Sequence, residues 1–264
     1  MTFCYSLFTV DTSKTFLKKY VLPGVIAVLV IGVIAALFLR ERSTERAERG
    51  GFEKLLTLQN RCSEPIPENR LKEFLGQFEV AKTDVLQDPD RFNSWMRLGL
   101  LKHTFCDWEG ARDIWEYSSI LRPKNSLSFG NLGSLYADKL NDPARAEANY
   151  LKAIENEEAF QALVKGAENP PPINATYYVG LHELYRYKFP NDPQKQDAAV
   201  EVLLRGIRFV PTAVDLKKVL ASYWRDTGNI PEAIKWFEEV LKQTPENGAV
   251  KAEVERLKSL PKQS

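Results

Sequence analysis

Ala199 and Ala233 stand 34 residues apart, and so do Pro211 and Pro245. A fixed period of this length marks a chain built by repeating one small unit, and few architectures satisfy it. The unit is clearest at 90–123. There Trp95, Leu98 and Gly99 are followed by Ala111, Trp115 and Pro123, bulky and small apolar residues at helical offsets, with a break at 105–108. The pattern predicts two short antiparallel helices: Trp95 and Leu98 on the first, small Gly99 and Ala111 where the backbones cross, and Pro123 closing the unit. One such pair cannot bury its own apolar faces, so it predicts neighbours of the same kind.

The neighbours are present. Phe129, Leu132, Gly133 and Tyr136, then Ala146, Tyr150 and Ala153, repeat the pattern with one extra residue in the turn at 141–143. A third unit begins near Asn174, a helix cap by residue type, with Tyr177, Leu181 and Leu184 on one face and Ala199, Leu203, Gly206 and Pro211 behind. The fourth carries Leu220, Ala221, Trp224, Gly228, Ala233, Phe237 and Pro245. Residues 158–172 break the period. Glu158 stands where the closing proline belongs, and the prolines of 170–172 stop any helix. This insertion reads as a loop packed on one face of the array or as a functional excursion. Upstream, Phe52, Leu55, Leu56 and Leu58, then Leu71, Phe74, Phe78, Ala81 and Val85, give a degenerate first hairpin.

These residues resemble the tetratricopeptide repeat, whose 34-residue pattern has these residue types at these offsets. The resemblance covers roughly 90–245 and departs at Lys102, where an aromatic or large apolar residue is usual. It implies an all-α protein: a right-handed α-solenoid of tetratricopeptide helix hairpins, preceded by one transmembrane helix. The expected divisions are an N-terminal tail (1–20), the membrane helix (21–39), a charged tether (40–51), the first hairpin (52–89), the repeats (about 90–123, 124–158, 174–211 and 212–245, with the 158–172 insertion), and a capping helix with its tail (246–264).

The membrane helix rests on residues 21–39, which hold no charge. At the helical rise they reach about 28 Å, against a hydrocarbon core of about 30 Å. Lysines 14, 18 and 19 precede the segment and Arg40, Arg42, Arg46 and Arg49 follow it, which argues against a buried helix of a soluble protein. It is also longer than the apolar region of a cleaved leader and ends on large residues. Lys and Arg counts weakly favour a cytoplasmic C-terminal side, but Glu41, Glu45 and Glu48 interleave with the arginines and a lysine-flanked start suits a signal anchor. Gly32 and Ala36 offer weak self-association through this helix.

Composition excludes several classes. Hydrophobic residues at 44% and charged residues at 27% suit a globular chain and exclude wholesale disorder. A net charge of +1 argues against a nucleic-acid surface. No phosphate-cradling glycine loop, nucleophile elbow or His-Glu-x-x-His appears, so the reading is a non-enzyme without cofactors. His103 and Cys106, with Cys62, fall one short of the four ligands of a structural metal site.

Within the repeat arrangement Cys62 and Cys106 each lie at the turn of a hairpin, in consecutive units, and stacking sets such turns side by side. A disulfide between them and two free thiols both stand open; the bridge would place the repeats outside the cytoplasm. The resemblance also implies a concave groove lined by the first helices. Carried over, its ridge positions are Met96, Leu100 and His103, then Gly130, Ser134 and Ala137, then Tyr178, His182 and Tyr185, then Lys218, Ser222 and Arg225. The family's carboxylate clamp is not reproduced: Met96, Leu100, Val179 and Val219 replace its polar residues, with Asn131 alone in place. The expected partner is a protein or peptide ligand in that groove; the competing reading has the tyrosines filling it against the insertion. Envelope assembly, secretion and complex assembly suit an anchored scaffold of this layout, which faces the extracytoplasmic side if the bridge forms. The alternative is an accessory subunit that recruits substrate to a membrane-bound catalytic partner.

Overall fold

The computed structural model describes residues 51–169 and 171–261. The predicted membrane helix at 21–39 and its tether at 40–50 lie outside them. Among the described residues no helix is long and apolar enough to cross a membrane. The chain divides into a unit at 1–57, of which 51–55 is helical, and a second unit at 58–264.

The second unit is all-α in its described residues. An extended strap, 58–67, leads into α1 (Glu68–Gln87). Four hairpins follow: α2 (Phe92–Thr104) with α3 (Trp108–Leu121), α4 (Ser126–Asp138) with α5 (Pro143–Leu163), α6 (Thr176–Lys188) with α7 (Pro193–Phe209), and α8 (Val214–Asp226) with α9 (Ile230–Gln243). Helix α10 (Gly248–Lys258) ends the array. Each helix packs on the next, so the array grows along one direction, as stacked repeats do.

Local chemistry explains where each second helix starts. Asp107, Asp142, Asp192 and Asn229 all accept a hydrogen bond from a backbone N–H of the turn they open, and Pro143, Pro193 and Pro231 sit in the first turns of α5, α7 and α9. The preceding turns need one residue in the left-handed region. Cys106 (φ 57°), Asn141 (φ 49°) and Gly228 (φ 85°) take that place in the first, second and fourth hairpins. Between the helices of a hairpin, packing is large against small. A Cβ at Gly99 would meet the Trp115 indole at 2.2 Å, so the backbone crossing needs glycine there. Trp95, Leu98, Ala111 and Ile114 complete that core with no solvent exposure.

Of the first hairpin expected at 52–89, the second unit holds a single helix, α1, preceded by the extended 58–67, and two further features differ from the sequence-based expectation. Helix α5 does not stop at 158 but continues to Leu163. The turns on either side of that point are bonded to the adjoining segments. The Asn156 amide donates to the carbonyls of Pro123 (3.0 Å) and Asn125 (3.1 Å), and Glu157 accepts from Ser126 Oγ (2.8 Å) and Asn174 N (3.0 Å). Glu158 takes two bonds from Arg205 of α7, at 2.8 and 2.7 Å. Beyond it the Gln161 amide donates to the Pro171 carbonyl (3.0 Å). Secondly, Lys102 is a buried cation rather than a defect. Its Nζ lies 3.1 Å from Asp107 Oδ2, with both side chains almost wholly buried.

Candidate functional site

The concave side is built by α2, α4, α6 and α8, and its register decides which side chains reach it. In α2 the leading Trp95 is buried, and Leu98 and Gly99 follow it inward at offsets of three and four. In α4 Phe129 leads, with Leu132, Gly133 and Tyr136 buried at offsets of three, four and seven. In α6 the same offsets begin at Tyr178, not Tyr177: Leu181, His182 and Tyr185 follow it into the core. In α8 they begin at Lys217, followed by Leu220, Ala221 and Trp224.

This corrects the reading of the third repeat by one residue. Tyr178 is 0% exposed, His182 1% and Tyr185 5%, so none of them offers a free surface to a partner. Tyr178 packs beside Gly206 of α7, where a Cβ would approach its ring to 2.9 Å, and its hydroxyl donates to Glu158 (3.1 Å). Tyr185 donates to Glu147 of α5 (2.7 Å). His182 occupies the small-residue position, where its Nδ1 lies 2.8 Å from the Ala199 carbonyl oxygen. Burial holds the imidazole below its ordinary value, with Arg186 adding to the effect and the Ala199 carbonyl opposing it. These side chains occupy the core between α5, α6 and α7.

With that shift, the groove residues of α6 are Val179, Glu183 and Arg186. Between α4 and α6 lies a cleft of about 670 Å³. Gly130, Ser134 and Gly180 contribute small residues to its lining, Val179 an apolar wall, and Tyr187, 62% exposed, a large aromatic. Asp138, Glu183 and Asp215 bring negative charge to it and Lys188 positive charge. Tyr150, from α5, also lines it. Its phenol is pushed up to about 12 by burial first, then by Asp138 and Glu183, with its contact to the Ser134 side chain opposing. Ser134 Oγ in turn donates to Asp138 (3.1 Å).

A smaller cleft of about 260 Å³ continues toward α8, lined by Arg186, Lys218, Val219 and Ser222 among others. Of the basic residues at this end, Lys218 meets Asp215 (3.6 Å), Arg186 meets Asp226 (3.4 Å), and Arg225 meets Asp226 (2.9 Å) and Glu253 (3.3 Å). At the other end, Leu100 is 57% exposed and Met96 is half-buried. His103 stacks edge-on against Trp108 with ring centroids 4.8 Å apart; burial, and then the charge of Lys139, lower its pKa.

Cys62 and Cys106 are joined in a disulfide, with Cα atoms 5.0 Å apart. The link lies within a larger fastening. Arg61 N donates to the Phe105 carbonyl (2.9 Å), and the Arg61 guanidinium reaches Glu109 (2.6 Å) and Asp107 (3.8 Å). The strap is thereby tied to the turn between α2 and α3. Among the described residues no group of three or more His, Cys, Asp or Glu side chains is placed to hold a metal ion.

The geometry defines an all-α array of tetratricopeptide-like hairpins with an open cleft on its inner side. No protein-family model matches the chain, and no curated protein does. Solved structures similar to it include MamA, at 17% identity and a TM-score of 0.49, with 73% of this chain and 99% of that chain covered. YrrB, described as a TPR protein with an unusual peptide-binding site, is similar at 14% identity and a TM-score of 0.44, covering 67% and 81%. TTC0263, a thermophilic TPR protein in Thermus thermophilus, is similar at 12% identity and a TM-score of 0.47, covering 73% and 99%. At these scores the likenesses carry no inference, and the fold assignment rests on the hairpins themselves.

Proposed function

We propose that this chain is a non-catalytic scaffold that binds a protein or peptide in the cleft between α4 and α6. The observation that carries the reading is the cleft itself: about 670 Å³, open to solvent, with a floor of small residues beside an exposed aromatic. An extended segment fits such a cleft because Tyr187 and Val179 offer it apolar contact beside a polar lining. The uncharged run at 21–39 supports anchoring of the scaffold in a membrane. The Cys62–Cys106 disulfide supports an extracytoplasmic side for the repeats, since such bonds persist in oxidising compartments. An anchored binding array on that side suits envelope assembly, secretion or the assembly of a protein complex.

Photo-crosslinking tests the binding face. A photoreactive residue at Val179 is expected to capture a discrete partner in the native cell, whereas one at exposed Arg208 of α7 is not. Equal capture from both positions, or from neither, removes the cleft as the binding face. Protease protection of the C-terminal part in sealed cells tests the compartment: protection from external protease after outer barriers are opened would place the repeats in the cytoplasm and contradict the reading.

A further inference from the structure

We infer that the occupant of the α4–α6 cleft presents a cationic side chain, Lys or Arg, to Asp138 and Glu183; the inference rests on the cleft reading above. Charge balance along the groove is what selects this occupant. The basic residues toward α8 are neutralised internally, Lys218 by Asp215, Arg186 by Asp226, and Arg225 by Asp226 and Glu253. Asp138 and Glu183 differ. Both line the cleft, both are exposed, and neither has an ion-pair partner among the described residues. Both also act on one point of the cleft, since each raises the pKa of the Tyr150 phenol. Asp138 already accepts from Ser134 Oγ, which holds its carboxylate on the small-residue side of the cleft. Lys188 is the one cation in the described lining, so its net charge stays negative.

The size of the cleft and the charge agree. Tyr177 packs over Gly130 and Tyr150 over Gly180, and the open volume beside Ser134 admits a long side chain whose aliphatic stem would lie against Val179. An acidic segment would meet two uncompensated carboxylates there. Two exposed pairs of this kind together give a preference of roughly two- to thirtyfold.

The probe is a fluorescein-labelled Gly-Ser peptide carrying a central pair of arginines, measured by fluorescence anisotropy at low salt against the repeat-bearing chain. Controls replace the arginines by citrulline, which keeps shape and removes charge, and by glutamate. Protein variants are Asp138→Asn with Glu183→Gln, and Ser134→Trp to fill the cleft, each checked for unchanged helicity by circular dichroism. The inference expects the arginine peptide to bind about two- to thirtyfold more tightly than the citrulline peptide, with the glutamate peptide weakest. The double amide variant should abolish that difference, and Ser134→Trp should abolish binding. Binding that is lost in Ser134→Trp but indifferent to peptide charge overturns the cationic occupant and leaves the cleft reading standing. A preference for arginine that survives both the amide variant and Ser134→Trp places the attraction elsewhere and overturns it as well. Absence of arginine-peptide binding also overturns it, while crosslinking from Val179 continues to judge the cleft separately.

Discussion

Lys102 and Asp107 form a buried ion pair inside a repeat core that otherwise takes apolar residues, and its cost depends on which partner is removed. Breaking a buried pair on one side leaves an uncompensated charge, at about 3–5 kcal/mol. Lys102→Met should therefore fall at the lower end of that range, because Arg61 lies 3.8 Å from Asp107 and keeps part of the compensation. Asp107→Asn keeps a helix-capping side chain at the start of α3, so Lys102→Met with Asp107→Asn should recover most of the loss. Urea denaturation of both single variants and the double decides it; a double variant as unstable as the sum of the singles contradicts the pairing. The neighbouring Cys106 raises a separate question, since a Cβ-bearing residue in the left-handed region costs about 1 kcal/mol or slightly more. With Cys62→Ser removing the bridge, Cys106→Gly should be more stable than Cys106→Ser by about 1 kcal/mol. Equal midpoints would show that the turn does not hold that φ once the bridge is gone.

Helix α6 shows how much of an element could be read from the chain and where reading failed. The sequence contains Tyr177 and Tyr178 side by side, and either can lead a repeat. The offsets decide for Tyr178: Leu181 follows at three and Tyr185 at seven, as Leu132 and Tyr136 follow Phe129. What hid this is His182 at the offset where the other repeats place Gly99, Gly133 and Ala221. A histidine fits there because the Ala199 carbonyl takes its ring, a contact between residues far apart in sequence. The hairpin boundaries were legible from Asp, Asn and Pro at the helix starts. The extension of α5 was not, because its supports are single polar contacts to other repeats, such as Glu158 to Arg205. The buried imidazole also predicts a pH dependence. Its folded pKa lies below the free value of 6.5, so the unfolded chain takes up the proton first. Stability is then highest above about pH 6.5 and is lost as the pH falls through and below it. His103, lowered in the same direction, contributes with the same sign. Thermal melts between about pH 5 and pH 7 should decline toward acid, and His182→Gln, which keeps a donor for Ala199, should flatten part of that decline. An unchanged slope in the variant would contradict the neutral buried ring.

At the scale of the whole array, polar contacts such as Tyr136 to Glu116, Tyr185 to Glu147 and Arg205 to Glu158 join one hairpin to the next, and none of these residues lines the inner cleft. The strap fastened by Cys62, Arg61 and Asp107 secures one end, and α10, with Val250, Val254 and Leu257 packed on the core of the last hairpin, closes the other. The cleft stands open in this array, so a substitution that only fills it should separate recognition from stability. The most direct measurement takes the partner captured from Val179 and titrates it against the wild-type chain and Val179→Trp, with melting temperatures recorded alongside. The account predicts a loss of affinity of about tenfold or more, equivalent to about 1.4 kcal/mol, at an unchanged melting temperature. Wild-type affinity in a correctly folded Val179→Trp variant would show that the partner binds elsewhere.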